Sequence, residues 1–200
     1  YNKTPFNSTY KWFKIIRGGS FRRWYGCCDN VINLENSCYE IKNSGLNHRL
    51  RTSAYYNKLG ITWNRISSGL LGFRIKCKEF NFGENSPCMF IDDELDFYLL
   101  LGLLNTSCLG SILASLNPTL SNQVADLIKL PIDIKSIKDK SSFKKKVEEN
   151  IFISKSDWDS HETSWDFETN PLLDVDESTY IDNINYEIEQ HEKETGEHIC

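Results

Sequence analysis

The sequence predicts an α+β fold, with short mixed or antiparallel strands in the N-terminal part followed by a helical C-terminal part. Three observations carry this expectation. Brief runs rich in β-branched and aromatic residues, such as YKWFKII (10–16) and GFRIKC (72–77), gather before residue 92. The stretch from Phe97 to Leu116 is uncharged and largely apolar, but Asn105-Thr106-Ser107 interrupts it. That interruption reads as a helix end followed by a fresh N-cap. Finally, SSFKKKVEEN (141–150) places Lys and Glu at helical spacings, the mark of a solvated helix.

Residues 10–16 alternate enough to form a strand. Gly18-Gly19 reads as a turn, after which FRRWY (21–25) is expected to pair back as a second strand. Residues 31–34 form another short apolar run. The polar segment 35–58 reads as a long loop with one helical turn. Residues 61–63, 72–77 and 87–91 read as further strands. Two buried helices follow at 95–104 and 106–116, and Asn117-Pro118 stops the second, because a residue before proline avoids the α region. A short helix at 123–128 ends at Pro131. After the helix at 141–150, the aromatic and acidic segment 158–167 begins with Ser156 or Asp157 as its cap. Residues 180–195 read as a weak helix, with a thin stripe of Ile181, Ile184 and Ile188. The expected organisation is a domain over 1–135, a helical extension over 136–173 and an acidic tail over 174–200.

The uncharged stretch is long enough to raise a membrane helix. Its central Asn-Thr-Ser, then Ser111, Ser115 and Asn117-Pro118, argue for two helices in a protein core, and no membrane partner is expected. With 40% hydrophobic and 12% aromatic residues, 200 residues suffice for one domain, or one domain with a tail. Met89 is the only methionine and the chain opens on Tyr1-Asn2-Lys3, so a fragment of a longer polypeptide is expected.

The seven cysteines, at 27, 28, 38, 77, 88, 108 and 200, show no regular framework. Adjacent Cys27-Cys28 are poor disulfide partners, and a reducing compartment is the simplest reading. Neither Cys-x-x-Cys nor a close His pair occurs, so no metal site is assigned. The net charge of −5 conceals an asymmetry. Residues 1–80 carry fourteen Lys and Arg against four Asp and Glu, while residues 81–200 carry nine against twenty-four. A basic first part fits a polyanionic partner.

Five segments then resemble one family, in order and at plausible spacing: GGSFRRWYG (18–26), GITWNRISS (60–68), LLGLLNT (100–106), LNPTLSNQVADLIKLPI (116–132) and SKSDWDSHETSWDF (154–167). Together they resemble the C-terminal, target-recognition part of an adenine-specific DNA methyltransferase, of the BREX phage-defence type or a similar single-chain restriction-modification enzyme. The resemblance runs from about residue 12 to 173, and the block 158–167 is its most specific piece. Where the family usually has Val-Gly-Asp-Ile, this chain has Val124-Ala125-Asp126-Leu127, so a left-handed glycine there would leave Ala125 strained.

The resemblance implies a target-recognition-domain-like fold that reads DNA. Such enzymes flip adenine out and hold its amine at an Asn/Asp-Pro-Pro-Tyr/Phe motif. Asn117-Pro118-Thr119 and Asn170-Pro171-Leu172 lack the second proline and the aromatic, and read as helix stops. Gly69 to Gly72 is too sparse for an S-adenosylmethionine loop. No catalytic residue and no cofactor is therefore assigned to this chain. S-adenosylmethionine belongs to a catalytic domain expected upstream. The implied partners are double-stranded DNA, that catalytic domain and other defence-system proteins, in a bacterial cytoplasm.

Nine residues are candidates for DNA contact. Lys14, Arg17, Arg22 and Arg23 flank the Gly18-Gly19 turn, where a hairpin tip would suit phosphates. Arg49 and Arg51 lie in the polar loop and could reach base edges, where Arg favours guanine. Arg65 and Arg74 lie near strands and could line the same face. Gln123, next to Asn122, could read adenine or cap a helix. Trp12 and Trp63 are expected in the core, with Trp24 open. Asp157, Asp159, Glu162 and Asp166 read as a docking surface or a solvated helix face. The rival to DNA contact is a structural or protein-interaction role within the same enzyme. No Pro-Asp…Glu-x-Lys arrangement supports an independent nuclease.

Overall fold

The computed structural model describes residues 10–173. The expected acidic tail and its helix at 180–195 lie outside the described residues. In chain order come β1 (Trp12–Ile16), β2 (Asn30–Asn33), α1 (Glu35–Lys42), β3 (Gly60–Trp63), β4 (Phe73–Lys76), β5 (Asn81–Phe82) and β6 (Cys88–Met89). They are followed by α2 (Glu94–Leu104), α3 (Ser107–Leu116), α4 (Val124–Leu127) and α5 (Lys140–Asp159). The α+β expectation holds, with the strands before α2–α5 and only α1 lying among them.

The strands form two small sheets, ordered β2-β1-β5 and β4-β3-β6. All pairings are antiparallel except β1 with β5, so the strands are mixed. Residues 21–25 do not form the expected return strand. Trp24 and Cys27 adopt positive φ of 68° and 58°, and Gly26 adopts 121°, values no strand sustains. Instead Trp24 makes a single parallel bridge to Arg74, its N–H donating to the Phe73 carbonyl and its own carbonyl accepting from Ile75, both at 2.8 Å. The return strand to β1 is β2. Within α1, Asn36, Ser37 and Cys38 are left-handed, so it is an irregular turn more than a regular helix.

The break between α2 and α3 falls where the polar triplet puts it. Asp93 caps α2 by accepting from the Asp96 N–H at 2.8 Å, and the Thr106 hydroxyl caps α3 by accepting from Leu109. No single helix among the described residues is long and apolar enough to cross a membrane, and α2 and α3 are bent by 71° at their junction. Asn105 does more than end a helix. Its buried amide accepts from the Phe73 N–H at 3.0 Å and donates to the Phe73 carbonyl at 2.9 Å, riveting α2 to β4. Ala125 lies inside α4 and has no positive φ, so the expected strain is absent. Residues 156 and 157 sit inside α5, which continues to Asp159 without the expected break and cap.

Chain contacts divide the protein into two compact units, Tyr1–Trp158 and Asp159–Cys200. In the first, Ile61, Trp63 and Phe73 of β3 and β4 pack with Phe97, Leu101 and Leu104 of α2, Leu113 of α3 and Val147 of α5. Burying this surface is the main favourable term in folding. A Cβ at Gly102 would collide with Phe143 and Val147, so glycine is what lets α5 lie this close to α2. A second cluster joins Ile16, Tyr25, Cys28, Phe80 and Trp158. Trp63 is fully buried as expected, but Trp12 is 58% exposed. It pairs only with Asn33 of β2, at the end of β1 that β5 does not reach. In the second unit the described residues include a hydrogen bond from Ser164 to Asp159 at 2.6 Å and a short turn at Pro171–Leu173.

Candidate nucleic-acid interface

The nine candidate residues do not share one surface. Arg74 is the clearest correction, since it is fully buried. Residues 73–76 of β4 lie between Trp24 and β3, so both edges of the strand are paired. Its Nη2 donates to the Asn64 side-chain oxygen at 2.8 Å, while Nε and Nη1 find no hydrogen-bond partner. Burial pushes its pKa down. Lys76, two residues along the strand, is buried as well and donates to the Lys58 carbonyl at 2.8 Å.

The four cations around Gly18-Gly19 lack the hairpin that was to present them. Arg22 donates to the Asp157 carboxylate at 2.7 Å and lies over the Trp158 ring at 4.9 Å. Arg23 lies over Phe21 at 5.6 Å, and Lys14 over Phe80 at 5.7 Å. Arg17 is exposed. The segment is fastened to α5 as well: Ser154 donates to the Arg23 carbonyl at 2.9 Å. At Gly26 a Cβ would press on Trp158 and Arg22. Residues 18–26 and residues 154–158, which belong to two of the family-like blocks, thus meet here as a structural joint.

The remaining candidates converge. Arg49, Arg51, Arg65 and Gln123 line one cleft of ≈ 280 Å³, with Phe82, Glu84, Pro87, Cys88, Asn122 and Val124. A small ladder brings Arg65 and Gln123 together across the sequence. Ser67 donates to the Leu120 carbonyl at 3.0 Å, and Asn122 donates to the Arg65 carbonyl at 2.6 Å. The Trp63 indole N–H adds a bond to the Asn122 carbonyl at 3.1 Å. Asn122 is therefore buried and structural, while Gln123 remains exposed at the start of α4. Its backbone N–H donates to the Asp126 carboxylate at 3.1 Å, so α4 is capped by Asp126 and the backbone of Gln123.

The Arg49–Arg51 loop is held by Tyr56, whose buried hydroxyl donates to the Arg51 carbonyl at 3.0 Å. Nearby aromatic rings brace the wall. Tyr55 stacks on Phe90 with centroids 5.0 Å apart, and Phe90 meets Phe82 edge-on at 5.5 Å. Glu84 was not anticipated. It accepts a hydrogen bond from the Arg65 guanidinium, and that bond holds its carboxyl below the usual carboxylate range. The charges of Arg65, Arg51 and Arg49 act in the same direction. The Glu84 turn is placed by the bond from Arg65 N–H to the Asn85 carbonyl at 3.1 Å. Among the described residues no group of three or more His, Cys, Asp or Glu is arranged to hold a metal ion. Asn117-Pro118-Thr119 forms a helix stop, with the Asn117 side chain accepting from the Thr119 N–H at 3.0 Å.

No protein-family profile matches the chain. It is 34% identical over 166 residues to the adenine-specific methyltransferase BrxX of Escherichia coli O9:H4 (strain HS), covering 82% of this chain. It is 33% identical over 168 residues to the adenine-specific methyltransferase PglX of Lacticaseibacillus casei (strain Zhang), covering 81%. The chain is related to the BREX adenine-specific methyltransferases. It spans 13% and 14% of the length of these two relatives, so it corresponds to a small part of such a protein. The BREX kinship suggested by the five segments therefore stands, and it covers most of the chain. Of the four candidate residues in the cleft, Arg65 and Gln123 fall inside those segments, whereas Arg49 and Arg51 lie between them.

Proposed function

We propose that this chain is a DNA-recognition segment of an adenine-N6-specific DNA methyltransferase in a phage-defence or restriction-modification system. The observation that carries the reading is the convergence of Arg49, Arg51, Arg65 and Gln123 on one cleft. Three cations at one opening suit a polyanion, and guanidinium and amide groups are the side chains that hydrogen-bond guanine and adenine edges. The relatives are adenine-specific methyltransferases by name, which supports the reaction class of the parent protein. On this reading S-adenosylmethionine and the base-flipping chemistry belong to other parts of that protein, which acts in the bacterial cytoplasm.

The second reading is a segment that braces its neighbours or docks a protein partner. Exposed Phe21, Ile66, Leu70 and Leu120 along one groove favour it. Fluorescence anisotropy with a labelled random duplex at low salt separates the two. Binding that weakens steeply with salt supports DNA contact. Absence of binding at micromolar protein supports the docking role.

A further inference from the structure

We infer that Glu84 and Arg65 together make this cleft a reader of one C·G base pair, and that Glu84 is the residue that sets that choice. The inference rests on the DNA-recognition reading above and names what the cleft selects.

A cleft built only to hold phosphates gains nothing from a carboxylate at its mouth. Glu84 is half-exposed, lies within hydrogen-bond reach of Arg65, and feels Arg51 and Arg49. Its charge repels any phosphate that approaches these cations. Against a base-pair edge the same pair is complementary. In the major groove cytosine offers its N4 amine as a donor, and guanine offers O6 and N7 as acceptors. A carboxylate beside a guanidinium presents the matching acceptor and donors. The Arg65 guanidinium has five N–H donors, and the Glu84 bond is made by Nη1, so the pairing and base contact are compatible. A thymine would instead set its methyl group against a charged pair. Arg49 and Arg51 then serve the flanking phosphates.

The test is selection from random-sequence duplexes by the 200-residue chain and by Glu84→Ala. Glu84 is exposed and its backbone turn is fixed by neighbouring residues, so the variant keeps the fold. The wild-type pool is expected to fix C·G at one position, with a preference on the order of ten- to a hundredfold. Glu84→Ala is expected to weaken the preference at that position to what the Arg65 contact with guanine alone supplies, while keeping the others. Its affinity for random duplex should also rise. An undiminished degree of preference at that position in the variant overturns the inference, as does wild-type binding without any fixed C·G pair. In both cases DNA recognition itself survives. If the wild-type chain binds no duplex, both readings fall together.

Discussion

The guanidinium of Arg22 lies 2.7 Å from the carboxylate of Asp157 and 4.9 Å from the centre of the Trp158 ring. Residues 135 positions apart are thereby locked, and the basic segment at 21–23 turns toward α5. An arginine that looks like a phosphate ligand in the sequence is here a clasp. We expect Arg22→Ala to destabilise the protein by about 1–2 kcal/mol, from the partly exposed ion pair and the ring contact together. Urea unfolding at neutral pH measures this. The slope of DNA affinity against salt should stay unchanged, whereas a flattened slope would return Arg22 to the DNA surface.

The cleft arginines should behave in the opposite way. Arg49 is exposed and Arg51 half-buried, and both lie in a loop outside the core. Arg49→Ala combined with Arg51→Ala is expected to leave the melting temperature within a few degrees of wild type. Each lost phosphate contact should reduce the salt slope by about 0.9. Anisotropy titrations between about 50 and 200 mM salt read this directly. A steep slope preserved in the double variant would remove these two residues from the interface.

What the sequence made legible depended on how local the deciding chemistry was. The α2–α3 junction was visible because Thr106 caps α3 with its own hydroxyl, a contact spanning three residues. Trp63 was visible as core because a large aromatic sits in a β-branched run. Arg74 and Lys76 were not visible as buried, since a charge in a short strand reads as solvent-facing until both sides of the strand are known to be covered. The hairpin at Gly18-Gly19 failed because the left-handed conformations of Trp24 and Cys27 belong to residues that rarely adopt them. The candidate cleft was half legible. Its arginines were singled out by type, but the ladder between residues 65–67 and 120–122 that brings Arg65 to Gln123 is a long-range contact. Glu84 carried no signal, because a lone acid between Gly83 and Asn85 looks like any solvated turn.

Gly102 tests the packing of α5 on α2. A methyl group there would overlap the Phe143 ring and the Val147 side chain. Gly102→Ala is normally favourable in a helix by up to about 1 kcal/mol. Here the overlap should outweigh that gain and destabilise by roughly 1–3 kcal/mol, the usual cost of overpacking. A fall in the thermal midpoint supports the close approach. A rise would show that α5 stands further off than the contacts place it.

Lys76 predicts an unusual pH dependence. Its side chain is fully buried, with Nζ 5.9 Å from the Phe82 ring and 5.8 Å from the Phe90 ring. Burial pushes its pKa from 10.5 down to about 8. Below about pH 8 the folded protein must keep an ammonium inside, and the full cost of doing so is present. Between about 8 and 10.5 the folded protein has released a proton that the unfolded chain still holds. Stability attributable to this group therefore rises with pH across that window. Lys76→Met keeps the bulk and removes the charge. It also loses the charge-assisted bond to the Lys58 carbonyl, worth roughly 1.5–3 kcal/mol. Set against a relief on the order of 3 kcal/mol, the variant should be more stable than wild type by up to about 1.5 kcal/mol at pH 7. The advantage should shrink steadily above pH 8 and reverse slightly near the upper end. Urea unfolding of both proteins at matched pH isolates the lysine from the other groups that titrate there. A difference that stays constant from pH 7 to 10 would mean that Lys76 keeps its proton, and that water reaches it in the folded state.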